Sequence, residues 1–162
     1  AGELFNTMAV VKLTHVPYKG HAAAGAALSE GQEVQLMFDA VFTCIKHVKA
    51  GKWRALGVTT PARNAALPEI PTIAESGLAG FEVSPAMGVL APAGTPPAII
   101  ERLSGEITRI LRLSEVTAQI RADGAEPVGN TPSEYAAYVR SQIAKWAKVV
   151  KDAGIEVLEV PK

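Results

Sequence analysis

His15-Val16-Pro17-Tyr18-Lys19-Gly20 is the stretch on which the fold turns. It closes a short β-branched and apolar segment, Leu13 to Val16, with a proline and a glycine. A run of small residues, Ala22-Ala23-Ala24-Gly25-Ala26-Ala27-Leu28, follows at once. That order reads as strand, tight loop and helix N-terminus. The first turn of a helix carries unpaired backbone N–H groups and the positive end of the helix dipole. Small side chains there let an anion approach the backbone. A carboxylate is the expected occupant, and the alternative reading is an ordinary βα loop.

Working outward, Ala1 to Val10 reads as the end of a helix and His21 to Glu30 as an Ala-rich helix stopped by Gly31. Glu33 to Phe38 is a predicted strand, Ala40 to Ala50 a helix closed by Gly51, and Trp53 to Thr59 a third strand. This β-α-β-α-β alternation predicts an α/β lobe with a parallel sheet and helical crossovers. A Pro-punctuated loop from Pro61 to Pro71 leads to a short predicted helix at Thr72 to Glu75. Phe81 to Leu90 reads as extended. Beyond Pro97, the segment Ala98 to Leu113 sets Ile99, Leu103, Ile107, Ile110 and Leu111 on one helical face. Ser114 reads as the cap of a helix over 115–122, and 125–128 as a short strand. Thr131, Pro132 and Glu134 form a capping-box pattern for a helix running to about Asp152. A terminal strand is expected over 155–160.

The bulk properties exclude several classes. The 162 residues suit one ordinary domain or parts of two small ones. Sixteen basic and sixteen acidic residues cancel, and no basic stripe marks a nucleic-acid binder. No apolar run approaches bilayer-spanning length. A single cysteine, Cys44, precludes an intrachain disulfide framework and reads as a small buried hydrophobe. No nucleophile elbow, P-loop, dinucleotide fingerprint or His-Glu-x-x-His motif occurs. No catalytic residue, metal site or cofactor is therefore expected, and the chain does not read as an enzyme.

Further segments recur in a definite order: Gln35-Leu36-Met37-Phe38-Asp39, then His47-Val48-Lys49-Ala50-Gly51-Lys52-Trp53-Arg54-Ala55-Leu56-Gly57-Val58-Thr59. Leu67-Pro68-Glu69-Ile70-Pro71-Thr72-Ile73-Ala74-Glu75-Ser76-Gly77 follows, then Gly88-Val89-Leu90-Ala91-Pro92-Ala93-Gly94-Thr95-Pro96 and Gly124-Ala125-Glu126-Pro127-Val128-Gly129-Asn130-Thr131-Pro132. Taken with the opening stretch, this series resembles the extracytoplasmic solute receptors of the tripartite tricarboxylate transporter system, the Bug or TctC-like family. The resemblance covers essentially the whole chain and implies a type II periplasmic-binding-protein-like fold.

The same resemblance implies the C-terminal part of such a receptor. Residues 1–83 would form most of the second lobe. Residues 84–162 would supply a crossover strand and the C-terminal helical share of the first lobe, whose N-terminal part lies upstream in relatives. It further implies periplasmic localisation, a small organic carboxylate ligand, membrane transporter subunits as partners, and no nucleic acid. With part of one lobe absent, the apolar stripe of helix 98–113 and part of helix 132–152 would lack their usual cover. Self-association into a homo-oligomer is the expected consequence. The alternative function is a truncated, self-associating module that binds no ligand.

The expected ligand-binding residues are Tyr18, Lys19, Gly20, His21, Ala22, Ala23 and Asp39. Backbone N–H groups at Ala22 and Ala23 would hold the carboxylate, Tyr18 would form a wall and Lys19 a nearby charge. Relatives often carry Ser or Thr where His21 stands, and an imidazole there would make anion binding sensitive to pH. Asp39 ends the second predicted strand at the edge where open α/β sheets bind ligands. Its alternative role is the N-cap of helix 40–50. The apolar Ala40-Val41-Phe42-Thr43 after it suggests an acid more apolar than citrate. Thr59 and Thr60 are candidates to reach the cleft. His15 and His47 read as core or surface residues, Trp53 and Trp146 as packing residues, and Lys145, Lys148 and Lys151 as solvated helix positions.

Overall fold

A computed structural model of the chain describes residues 1–31 and 33–155. The strand expected over 155–160 therefore lies almost wholly outside the described residues. Six helices are assigned among them: α1 Gly2–Ala9, α2 His21–Glu30, α3 Val41–Lys49, α4 Pro97–Leu111, α5 Ser114–Ala122 and α6 Pro132–Asp152. None is long and apolar enough to cross a membrane.

The helices follow from local chemistry. Ala-rich α2 has the highest intrinsic propensity available and ends on Gly31 in the left-handed region, whose N–H donates to the Ala27 carbonyl. Pro97 opens α4 at its first turn, where its missing N–H costs nothing. At α6 the capping box forms in full. The Glu134 N–H donates to Thr131 Oγ1 at 3.3 Å, and the Thr131 N–H donates to Glu134 Oε2 at 2.8 Å.

The chain divides into two compact units. The first comprises Ala1–Ala86 with Gln119–Glu126. Its core is small: Phe81 and Thr72 are both 1% exposed, and Leu67, Val58 and Ile45 are also buried. Phe5 packs edge-on against Phe81, ring centroids 5.9 Å apart, and also meets Phe38. Asn64 ties in the later segment by donating from Nδ2 to the Gly124 carbonyl at 2.8 Å, while its Oδ1 accepts from the Ala66 N–H.

The parallel sheet expected over 13–16, 33–38 and 53–59 does not form as a ladder among the described residues. One isolated parallel bridge, Val58 with Thr72, is present. Val58 donates to the Pro71 carbonyl and accepts from the Ile73 N–H, both at 2.9 Å, and the Val83 N–H reaches the Thr59 carbonyl at 2.8 Å. Register in a sheet is set by a buried face. Here Leu13, Leu36 and Leu56 are exposed and only Val58 of the three segments is buried in the core, so the segments share little buried surface to align them. The backbone of Leu13 pairs instead with a side chain: its N–H donates to Asn6 Oδ1 at 2.9 Å and its carbonyl accepts from Asn6 Nδ2 at 3.3 Å.

The helix expected at Thr72 to Glu75 is a single turn. The Thr72 N–H donates to Glu75 Oε2 at 2.8 Å, and the Glu75 N–H donates to Thr72 Oγ1 at 2.9 Å. This reciprocal pair caps a turn that Gly77, at φ 113°, prevents from propagating. The short strand expected over 125–128 is irregular.

The second unit comprises Met87–Ala118 with the chain from Pro127 onward. Within it α4 packs against α6. Gly88 lies so close to Tyr135 that a Cβ would sit 2.1 Å from its hydroxyl. Ile99, Leu103 and Ile110 of α4 remain substantially exposed, as do Met87, Val89 and Leu90.

Candidate functional site

The sequence residues around α2 converge at its N-terminus. Gly20 is the N-cap, at φ 112° and ψ 168°, and no side chain caps the helix. The positive φ is a conformation that glycine takes without strain. The first N–H groups of α2, from His21, Ala22 and Ala23, therefore lack both intrahelical and side-chain acceptors.

His21, the first residue of α2, reaches across to Asp39. Its Nδ1 lies 3.2 Å from Asp39 Oδ1, with the imidazole 39% and the carboxylate 15% exposed. Asp39 does not cap α3. Ala40 is the N-cap there and receives no side-chain cap bond. The second oxygen, Asp39 Oδ2, is buried with no hydrogen-bond partner, an uncommon state for a carboxylate oxygen. The Asp39 charge is felt nearby: burial, then that charge, push the Cys44 thiol above its usual pKa.

A solvent-open hollow of about 380 Å³ runs along one side of α2. His21, Ala22, Gly25, Ala26 and Ser29 form one wall, and His47 with Trp53 the other. His21, Gly25 and Ser29 stand at i, i+4 and i+8, one stripe of the helix. Trp53 lies along that stripe. Its indole stacks on His47 at 4.3 Å and 16°, meets the His21 ring edge-on at 6.4 Å, and donates from Nε1 to Ser29 Oγ at 2.9 Å. Gly25 is the buried residue of α2, because a Cβ there would stand 3.1 Å from two atoms of the indole.

The structure thus gathers His21, Ala22, Asp39 and the N-cap Gly20. Tyr18 turns elsewhere: its hydroxyl donates to Glu33 Oε2 at 3.0 Å. Loss of water and that carboxylate together hold the phenol above its ordinary pKa. Lys19 and Ala23 are exposed, and neither lines the hollow. Thr59 and Thr60 spend their hydroxyls on backbone carbonyls, of Val83 at 2.6 Å and Ala62 at 2.7 Å. Gly25, Ala26, Ser29, His47 and Trp53 are the lining residues that sequence reasoning did not select. The spacing of His21, Gly25 and Ser29 could have identified the stripe, but nothing local brings Trp53 onto it. No group of three or more His, Cys, Asp or Glu is placed to hold a metal among the described residues.

Comparison with known proteins agrees with this arrangement of helices and loops. Residues 1–155 match a family model described as the tripartite tricarboxylate transporter family receptor. A UPF0065 protein from the tcbD-tcbE intergenic region of Pseudomonas sp. strain P51 is 39% identical over 151 residues, 93% of this chain and 45% of that protein. Among solved structures, Rpa4515 of R. palustris with adipate is 41% identical with a TM-score of 0.89, over 97% of this chain and 52% of its own. The periplasmic binding protein BugD is 34% identical with a TM-score of 0.82, over 96% and 52%. The chain spans about half the length of these relatives.

Proposed function

The chain belongs to the tripartite tricarboxylate transporter receptor family, and from that premise we propose that it takes part in capturing a small organic carboxylate in the periplasm for delivery to a membrane transporter. The members of this family are receptors, not enzymes. The reading assigns residues 1–83 to most of one lobe of a type II binding fold and residues 84–162 to a crossover strand and the C-terminal share of the other, apart from Gln119–Glu126, which pack with the first unit. The ligand contacts are the N–H groups of His21, Ala22 and Ala23, with Gly20 as N-cap and Asp39 behind His21; Lys19 is an exposed charge nearby, and Tyr18 is held by Glu33.

One observation carries the proposal: the uncapped N-terminus of α2 ends in a histidine that is itself paired to a largely buried aspartate. A carboxylate at that terminus meets N–H donors and the positive end of the dipole. The imidazole adds a donor whose orientation Asp39 holds. Asp39 would repel the ligand if left bare, and its pairing with His21 reduces that repulsion. A structure of a related protein with adipate supports a carboxylate as ligand class.

The test is a thermal-shift series with adipate, malate, citrate and succinate on the purified chain. A ligand that binds only the folded state raises its melting point, by free energy of about 2.7 kcal/mol at a hundredfold excess over Kd. At least one acid should stabilise the chain, and His21→Ser should weaken the response. Indifference to every acid at millimolar concentration would sink the proposal.

A second reading rests on the exposed apolar residues of the second unit, among them Met87, Leu90, Ile99 and Leu103. Such surface marks association sites, and the chain would then act as a self-associating module without ligand. Light scattering on the sample used for the acid series separates the two: a defined oligomer indifferent to acids favours this second reading.

A further inference from the structure

We propose that the hollow between α2 and Trp53 is a specificity subsite that selects carboxylates carrying an unbranched alkyl or aryl body, with the carboxylate at His21 and the body extending toward Ser29. The inference rests on the reading of the α2 N-terminus as the anion site.

Three observations carry it. The hollow begins at that site, since His21 and Ala22 belong to its wall, and it continues along α2 to Ser29. Eight residues of helix separate the two ends, about 12 Å at the α-helical rise; the indole closes on Gly25 and Ser29, which leaves the Ala22–Ala26 side of that length for an extended body. The wall between them is methyl and backbone from Ala22, Gly25 and Ala26, faced by an indole. It offers apolar contact and few polar partners for a second carboxylate or a hydroxyl. The ionisable groups of the lining are two imidazoles and no acid, so an anion meets no opposing charge within the hollow itself.

Trp53 makes the subsite a built one. Its ring is held on three sides, by the His47 stack, the Ser29 hydrogen bond and the Gly25 backbone. A rigid indole wall loses little entropy when a ligand packs on it. At Ser29 the hydroxyl already donates to the Gly25 carbonyl at 2.9 Å while accepting from Trp53. Its one donor is taken, so the far end of the hollow offers no hydroxyl donor to a second carboxylate.

Isothermal titration of the chain with acetate, butyrate, hexanoate and benzoate tests the proposal. Burial of methylenes strengthens binding, so hexanoate and benzoate should bind about tenfold or more tightly than acetate. Ala26→Leu, which fills the hollow from a solvent-facing helix position, should collapse that ratio toward unity. In a Trp146→Phe background the remaining indole is Trp53, and its emission should shift to the blue with hexanoate but not with acetate. This second readout stands even if Ala26→Leu disturbs folding. Equal affinity for acetate and hexanoate, or a ratio that survives Ala26→Leu in a folded protein, would overturn the subsite while leaving the anion site intact. Absence of binding by every acid would overturn both.

Discussion

Nδ1 of His21 stands 3.2 Å from Oδ1 of Asp39, joining the first residue of α2 to the residue that precedes the N-cap of α3. Neither residue has that partner in local sequence. The pair gives the uncapped helix terminus a side-chain donor whose ring orientation is held by a carboxylate mostly withdrawn from water. A ring so held adds one hydrogen-bond donor to the open first turn, so His21→Ser should weaken carboxylate binding by about tenfold, the worth of one hydrogen bond to a charged group. Isothermal titration of the two proteins side by side checks this, and equal affinity in the variant would show that the histidine does not touch the ligand.

Two helical glycines should respond oppositely to alanine. A Cβ at Gly105 in α4 meets nothing within 4 Å, so Gly105→Ala should stabilise the chain by about 1 kcal/mol, the difference in helix propensity. At Gly25 the same gain is offset by the indole at 3.1 Å, where overpacking costs about 1–3 kcal/mol. Gly25→Ala should therefore be neutral to destabilising and should perturb Trp53 emission. Denaturant melts of the two variants side by side check this, and equal stabilisation by both would contradict the packing described for Trp53.

Gly124 should tolerate no side chain. Its φ is 81° and a Cβ would lie 2.4 Å from Val41 Cγ1. Backbone strain and steric clash act together, and Gly124→Ala should cost roughly 2 kcal/mol or more. Adding Val41→Ala removes the 2.4 Å contact, leaves Val41 Cβ at 3.1 Å and does not touch the strain, so the double variant should recover part of the loss. Full recovery would mean that the backbone conformation carries no cost.

Acid should weaken the turn at Thr72. The Thr72 N–H, then the Arg63 side chain, hold the Glu75 carboxyl below its ordinary pKa. A carboxylate depressed in the folded state contributes stability above its unfolded pKa and loses it as pH falls through the folded value. Glu75 is exposed, so the effect is modest and screened by salt. The drop in melting temperature between neutral pH and pH below the carboxylate range should be smaller in Glu75→Gln than in the parent chain. An unchanged drop would mean that the contact with Arg63 at 3.0 Å contributes no pH-linked stability.

Much of the local architecture was legible from residue order. The helix starting at His21 and its glycine stop, the α6 capping box with Pro132, and the apolar stripe of α4 are decided within a few residues, by propensity, cap chemistry and period. The ordered loop segments also carried the family, because their joint spacing is distinctive even where each is weak alone. Strand pairing was not legible in the same way. Whether 13–16, 33–38 and 53–59 form a ladder depends on partners distant in sequence and on a shared buried face. In this structure only Val58 among those segments reaches the core, while Leu13, Leu36 and Leu56 are exposed.

The site divides along the same line. The chain order alone determined that a glycine and small residues stand where a loop enters a helix, and so that the first turn of α2 has no side-chain cap. Only the tertiary structure decided that Asp39 turns to His21 rather than capping α3, that Tyr18 turns to Glu33, and that Trp53 lies along the His21–Gly25–Ser29 stripe. Helix propensity and capping act over one or two turns, whereas a side-chain pair needs the path of the whole backbone to bring its members within reach.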